Sequence, residues 1–186
     1  MDFYNDLVTQ KSWQTLQELK GKLDFVLIGG WAVYLYTKAL KSKDIDIIVG
    51  YDQLEKLRKN FTVSKNERLK KYEARREEVQ IDVYLPHYSN LGIPIEKMDL
   101  KTVETFKLPS VVTLLKLKML AYKQRGLSAK GQKDRLDILS LLFFADIDFK
   151  LSFSLQKLIS ETGKIPELNI NEYLWSKKKR ELLRNF

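Results

Sequence analysis

The stretch Val26-Leu27-Ile28-Gly29-Gly30 is an apolar run of strand type that stops at two adjacent glycines. A short apolar segment with helix-forming character follows, and then Lys43-Asp44-Ile45-Asp46-Ile47-Ile48-Val49, a strand that opens with carboxylates one residue apart. These features predict a strand, a turn, a helix and a returning strand. On a strand successive side chains leave opposite faces, so Asp44 and Asp46 share one face and Ile45 and Ile47 take the other. Two carboxylates held that close repel unless a cation lies between them. Glycines at a strand-to-helix turn let backbone N–H groups approach a phosphate, and the helix start adds the positive end of its dipole. Each half also has a plain structural reading, because a tight turn calls for glycine and an isolated D-x-D can be a solvated strand end.

A third acid changes the balance. Val79-Gln80-Ile81-Asp82-Val83-Tyr84-Leu85 alternates with period two before Pro86, a strand on which Gln80, Asp82 and Tyr84 share one face. Asp44, Asp46 and Asp82 are then able to converge at one sheet edge, and carboxylates so placed can hold divalent ions for in-line attack on a phosphoryl group. The tripeptide recurs as Asp146-Ile147-Asp148, but without glycines or a preceding strand, so it reads as an interhelical turn.

The rest of the chain frames this unit. Leu7, Trp13, Leu16, Leu19 and Leu23 recur as one face of a first amphipathic helix over 6–21. Helices are also predicted over 31–36 and 51–59, and a short strand over 61–63. The charge-dense stretch 65–78 reads as an exposed hairpin or edge strand, and 88–107 as a loop with a short helix near Thr102. Ser110 caps a helix running to Gln124, a loop with Gly126, Ser128 and Gly131 follows, and an apolar helix covers 138–144. Further helices are expected near 155–162 and 171–183. A soft boundary near Leu108 separates a mixed core, 1–108, from a helical region, 109–186.

Composition narrows the chemistry. Thirty-three Lys and Arg against 24 Asp and Glu give a net charge of +9, which favours polyanionic partners. With no cysteine and a single histidine, His87, there is no thiolate or histidine cluster for a metal. An ion held here needs oxygen ligands, which suits Mg²⁺ or Mn²⁺. No apolar run approaches the ~20 residues of a membrane span, and a soluble, cytoplasmic protein is expected.

Ile28-Gly29-Gly30, the helix after it, Ser42 two residues before Asp44, Asp44-Ile45-Asp46 and then Asp82 together resemble the signature of the nucleotidyltransferase superfamily with a DNA polymerase β-like fold. Lys118-Met119-Leu120-Ala121-Tyr122 with Arg125, then Lys133-Asp134-Arg135-Leu136-Asp137, are similar to the third and fourth motifs of the abortive-infection toxin nucleotidyltransferases of bacterial and archaeal toxin–antitoxin systems. The matches cover roughly 25–142. In two places the chain departs from the pattern: Leu40 stands where the family often has arginine, with Lys41 and Lys43 close by, and Gly30 stands where many members have serine.

The resemblance implies an α+β fold, a small mixed sheet flanked by helices, with a helical C-terminal region. It implies that Asp44 and Asp46 hold the nucleotide-bound Mg²⁺ and share a second ion with Asp82, and that Asp82 orients the attacking hydroxyl. Gly29, Gly30, Ser42, Lys43, Lys118 and Asp134 fall on the nucleotide side. For Lys118 a snorkelling lysine at the core edge is the alternative, and for Asp134 a first-turn acid of a helix. Three functions follow: NMP transfer from an NTP to RNA, with a tRNA 3′ end and a cognate antitoxin as the toxin-like version; transfer to a protein hydroxyl, as in the shorter antitoxin-type enzymes; or a non-catalytic nucleotide- or RNA-binding module.

Overall fold

A computed structural model describes residues 6–145. Helix α1 (Asp6–Lys20) leads into β1 (Val26–Ile28), α2 (Gly29–Thr37), β2 (Ile45–Ile48) and α3 (Tyr51–Arg58). Strands β3 (Thr62–Asn66), β4 (Lys71–Arg76) and β5 (Val79–Tyr84) come next, followed by a 3-10 turn over Ile95–Lys97. The hairpin β6 (Leu100–Val103) and β7 (Phe106–Pro109) precedes the helices α4 (Val111–Arg125) and α5 (Ala129–Phe144). This is the α+β architecture expected from the sequence.

Strands β1 to β5 form one sheet in the order β1-β2-β5-β4-β3. Only the β2–β5 pairing is parallel; β1–β2, β5–β4 and β4–β3 are antiparallel. The period-two pattern read from the sequence decides the faces. Ile45, Ile47, Ile81 and Val83 are fully buried against the helices, so Asp46 and Asp82 must leave the opposite face. That alternation makes the acids neighbours: Asp46 is the register partner of Asp82, with Ile28 beyond it on β1 and Glu73 beyond Asp82 on β4.

One apolar core joins α1, the sheet, α4 and α5, running from Leu16 through Trp31, Ile45, Ile81 and Leu114 to Ile138 and Leu141. Leu108 lies within β7, α4 begins at Val111 with Ser110 as its cap as expected, and one core includes residues from both sides of Leu108. Trp31 anchors α2: it is buried beside Trp13, its indole N–H donates to Ser12 Oγ at 2.9 Å, and Tyr34 meets it edge-on. Residues that fix α2 therefore also fix the glycines at its start.

Several expectations need correction. The helix near Thr102 is absent; Thr102 lies in β6, paired with Lys107. The hairpin turn is made by Glu104 and Thr105, both at positive φ of 48° and 72°, so the glycine that normally marks such a turn is missing. Leu7 is exposed rather than part of the buried face of α1. Helix α5 starts at Ala129, capped by Ser128, rather than at 138, and Gly131 lies inside it, where a side chain would collide with the carbonyl of Gly126. The charge-dense stretch is a hairpin, but only β3 is at the sheet edge. Asp146, Asp148 and the helices expected near 155–162 and 171–183 lie outside the described residues.

Candidate active site

The site begins where β1 ends. Gly29 takes φ 69°, a left-handed conformation that suits glycine, and opens α2 directly from the strand. A Cβ at Gly29 would overlap the Asp46 carboxylate, so glycine here lets that carboxylate sit against the first turn of the helix. At Gly30 a Cβ would lie 2.7 Å from Ser42 Oγ and 3.0 Å from Lys133 Nζ. The two glycines thus make a groove over which Asp46, Ser42 and Lys133 close.

Asp46 and Asp82 face each other from adjacent parallel strands, yet their partners differ. Burial, then the charge of Asp82, pushes the Asp46 carboxyl from its ordinary 3.8 up to about 6, while Lys118 and Lys133 pull it back. Among the described residues none donates a hydrogen bond to it. Asp82, in contrast, is held on both oxygens: Lys71 Nζ lies 2.5 Å from Oδ2, and Gln80 Nε2 donates to Oδ1 at 2.9 Å. Asp44 lies partly exposed in the bend just before β2, and its backbone carbonyl accepts from Ser42 Oγ at 3.0 Å.

A second polar cluster lies where α4 and α5 meet. Lys118 Nζ donates to Asp134 Oδ1 at 3.1 Å and lies 2.6 Å from Asp137 Oδ2, with all three residues buried. Burial opposes the Lys118 charge, but Asp137 and Asp134 outweigh it and hold the ammonium's pKa above the usual lysine value. Arg125 donates to the other oxygen of Asp134 at 2.7 Å. Asp134 therefore holds the two cations, and Asp137 joins it in an ion pair with Lys118.

Lys133, on the same helix, reaches across to Ser42 Oγ at 2.8 Å. Its pKa is lowered by burial, with Lys118 adding to the effect. Tyr84, two residues beyond Asp82, has its hydroxyl pKa raised by burial and by the charges of Asp46 and Asp82. The structure therefore gathers Gly29, Gly30, Ser42, Asp46, Asp82, Lys118 and Asp134 around the start of α2 and the sheet face that carries Asp46 and Asp82. Lys43 stays exposed outside this group.

Lys71, Gln80, Tyr84 and Lys133 join the site in the structure without being candidate site residues from the sequence. Tyr84 and Gln80 share the face of Asp82 and were within reach of the same period-two argument. Lys71 carried no such signal, because the stretch around it is rich in lysine and arginine.

The donors fit a divalent cation in kind. Asp44 and Asp46 offer hard oxygen atoms, the Asp46 carboxylate lies against the Gly29 turn, and charge on Asp46 is held back by burial. They do not form a three-acid cluster, since among the described residues no group of three or more His, Cys, Asp or Glu side chains is placed to hold a metal ion.

No protein-family model and no curated protein matches the sequence. Solved structures do. An antigenic nucleotidyltransferase-like protein from Paracoccidioides brasiliensis superposes with a TM-score of 0.51 at 20% identity, covering 93% of this chain and 94% of that one. The antibiotic-resistance factor ANT(2'')-Ia gives 0.51 at 12% identity over 100% of this chain and 97% of its own. The Megavirus polyadenylate synthase gives 0.52 at 10% identity, with 87% of this chain matched to 38% of that larger one. At such identities the likeness is one of fold: this chain has the nucleotidyltransferase fold.

Proposed function

We propose that the protein transfers a nucleoside monophosphate from an NTP to a hydroxyl group on RNA. The observation that carries this reading is the pairing of Asp46 with Asp82 on adjacent strands, with the left-handed Gly29 of the α2 start pressed against Asp46. Such an arrangement sets carboxylates beside free backbone N–H groups, the two elements needed to hold a metal–triphosphate.

Asp44 and Asp46 would hold Mg²⁺ or Mn²⁺, with Asp82 on the acceptor side. The bound ion supplies positive charge against the triphosphate and the charge that develops during transfer. The first N–H groups of α2 and the ammonium groups of Lys118 and Lys133 face the same region and would bind phosphate oxygens. Asp82 orients the acceptor hydroxyl and takes its proton. The hydroxyl oxygen bonds to the α-phosphorus as the bond from that phosphorus to the α,β-bridging oxygen breaks, and pyrophosphate leaves. RNA is the favoured acceptor because the chain carries a net charge of +9. The resemblance to abortive-infection toxins adds a tRNA 3′ end as acceptor and a cognate antitoxin as partner.

Incubation with each [α-³²P]NTP, Mg²⁺, total RNA and a cell lysate tests this. Label in RNA, lost in Asp44→Ala and Asp46→Ala, is the expected result. Label in protein instead moves the assignment to protein nucleotidylation, and NTP binding without any transfer leaves a binding module. For the toxin role, induction in cells should arrest growth with the wild type and not with Asp46→Ala.

A further inference from the structure

Lys71 is the least expected charge in the site. It belongs to β4, between β5 and β3, and is buried although Arg68, Leu69 and Lys70 just before it are exposed. Its side chain and that of Asp82 are only 7% and 9% exposed, with 2.5 Å between Nζ and Oδ2. Glu73 Oε1 lies 3.4 Å from the same ammonium. Lys71 and Glu73 are alternate residues of β4 and so share a face, and Glu73 is the register partner of Asp82. The ammonium therefore sits between the carboxylates of Asp82 and Glu73, on the side of Asp82 away from Asp46. Burying a lysine is costly unless it is paired, and here the pairing is with the residue that, by the resemblance, would share a second metal ion.

We propose that Lys71 stands in place of that second ion, so that the site works with one divalent cation, held by Asp44 and Asp46. This rests on the metal-dependent reading above. The two acids on neighbouring strands then have different counter-charges: a dissociable ion for Asp46 and a covalently attached ammonium for Asp82. With Lys71 in contact and Gln80 on the other oxygen, Asp82 has both oxygens engaged. An ammonium donates hydrogen bonds and neutralises charge but does not coordinate phosphate oxygens as a divalent ion does. Lys71 thus stabilises the Asp82 carboxylate while the acceptor hydroxyl approaches. Removing it would leave Asp82 and Glu73 without the cation they share and free an oxygen of Asp82 for a metal ion beside the one at Asp46.

The test counts ions. Two Mn²⁺ ions ~4 Å apart in a two-metal site give an exchange-coupled electron paramagnetic resonance spectrum, whereas one gives the six-line pattern of an isolated ion. Full-length wild type with Mn²⁺ and a non-transferable α,β-methylene NTP analogue should show isolated bound Mn²⁺. Lys71→Ala should show the coupled pair. Lys71→Gln keeps a hydrogen-bond donor beside Asp82 without the charge, guards against loss of fold in the alanine variant, and should also admit the second ion. A coupled pair in wild type overturns the proposal, as does an isolated ion in both folded variants. No bound Mn²⁺ in any form overturns the metal-dependent reading itself, an outcome distinct from the other two.

Discussion

Asp46 and Asp82 occupy the same rung of the sheet and have opposite surroundings. Asp82 is clamped by Lys71 and Gln80, whereas Asp46 lies against Gly29 with no hydrogen-bond donor among the described residues and a carboxyl pushed up to about 6. The difference shows how one fold feature, a parallel strand pair, can give two acids different tasks. The acid that burial makes reluctant to ionise gains most from a cation. Its neighbour already has one. The same contrast appears between lysines, since Lys118 is neutralised by Asp134 and Asp137, while Lys133, among the described residues, donates to a serine hydroxyl.

The largest expected effect is on transfer. Asp46→Ala should lower NTP turnover by about 10³-fold or more, in line with the loss of a main charge-stabilising group, with the circular dichroism spectrum unchanged. Lys118→Met leaves Asp134 and Asp137 buried without their shared ammonium and should cost about 3–5 kcal/mol in urea unfolding. Adding Asp137→Asn should recover part of that loss. If Lys118→Met were as stable as wild type, the buried cluster would not be what joins α4 to α5.

Asp46 also links stability to pH. Its folded value near 6 lies about 2 pH units above the ordinary 3.8, so the fold favours the protonated acid. The metal-free protein is then most stable, as far as this group is concerned, below about pH 4, and loses that stability as pH rises through 6. The full loss is on the order of 3 kcal/mol at 1.36 kcal/mol per unit. Asp46→Asn should therefore raise the Tm of the metal-free protein at pH 7.5 while abolishing transfer, and Mg²⁺ affinity of wild type should fall below pH 6. Gly29→Ala forces a side chain into a left-handed turn and onto Asp46, a cost of roughly 1–3 kcal/mol to be read from thermal unfolding together with weaker NTP binding. The smallest effect belongs to Lys43→Ala, an exposed residue, where KM for NTP should rise by about threefold at most and kcat should not move.

Much of this site was legible because its signals are local. Period-two alternation puts Asp46 and Asp82 on the face opposite Ile45, Ile47, Ile81 and Val83, and the paired glycines mark the start of α2. Lys71 was hidden because its burial depends on which strands flank β4, information carried by β3 and β5 rather than by Lys71 and its neighbours. The β6–β7 hairpin was missed for a local reason: Glu104 and Thr105 adopt positive φ without a glycine to signal it. Gly131 read as loop punctuation but serves the close approach of α5 to the carbonyl of Gly126. Its role is visible only once two segments are in contact.

Carboxyl ¹³C NMR of aspartate-labelled protein, assigned with Asp46→Asn, tests the central claim most directly. Without metal, the Asp46 signal should titrate near pH 6; with Mg²⁺ present, the midpoint should fall by more than a unit. A midpoint that Mg²⁺ leaves unchanged would contradict Asp46 as a metal ligand.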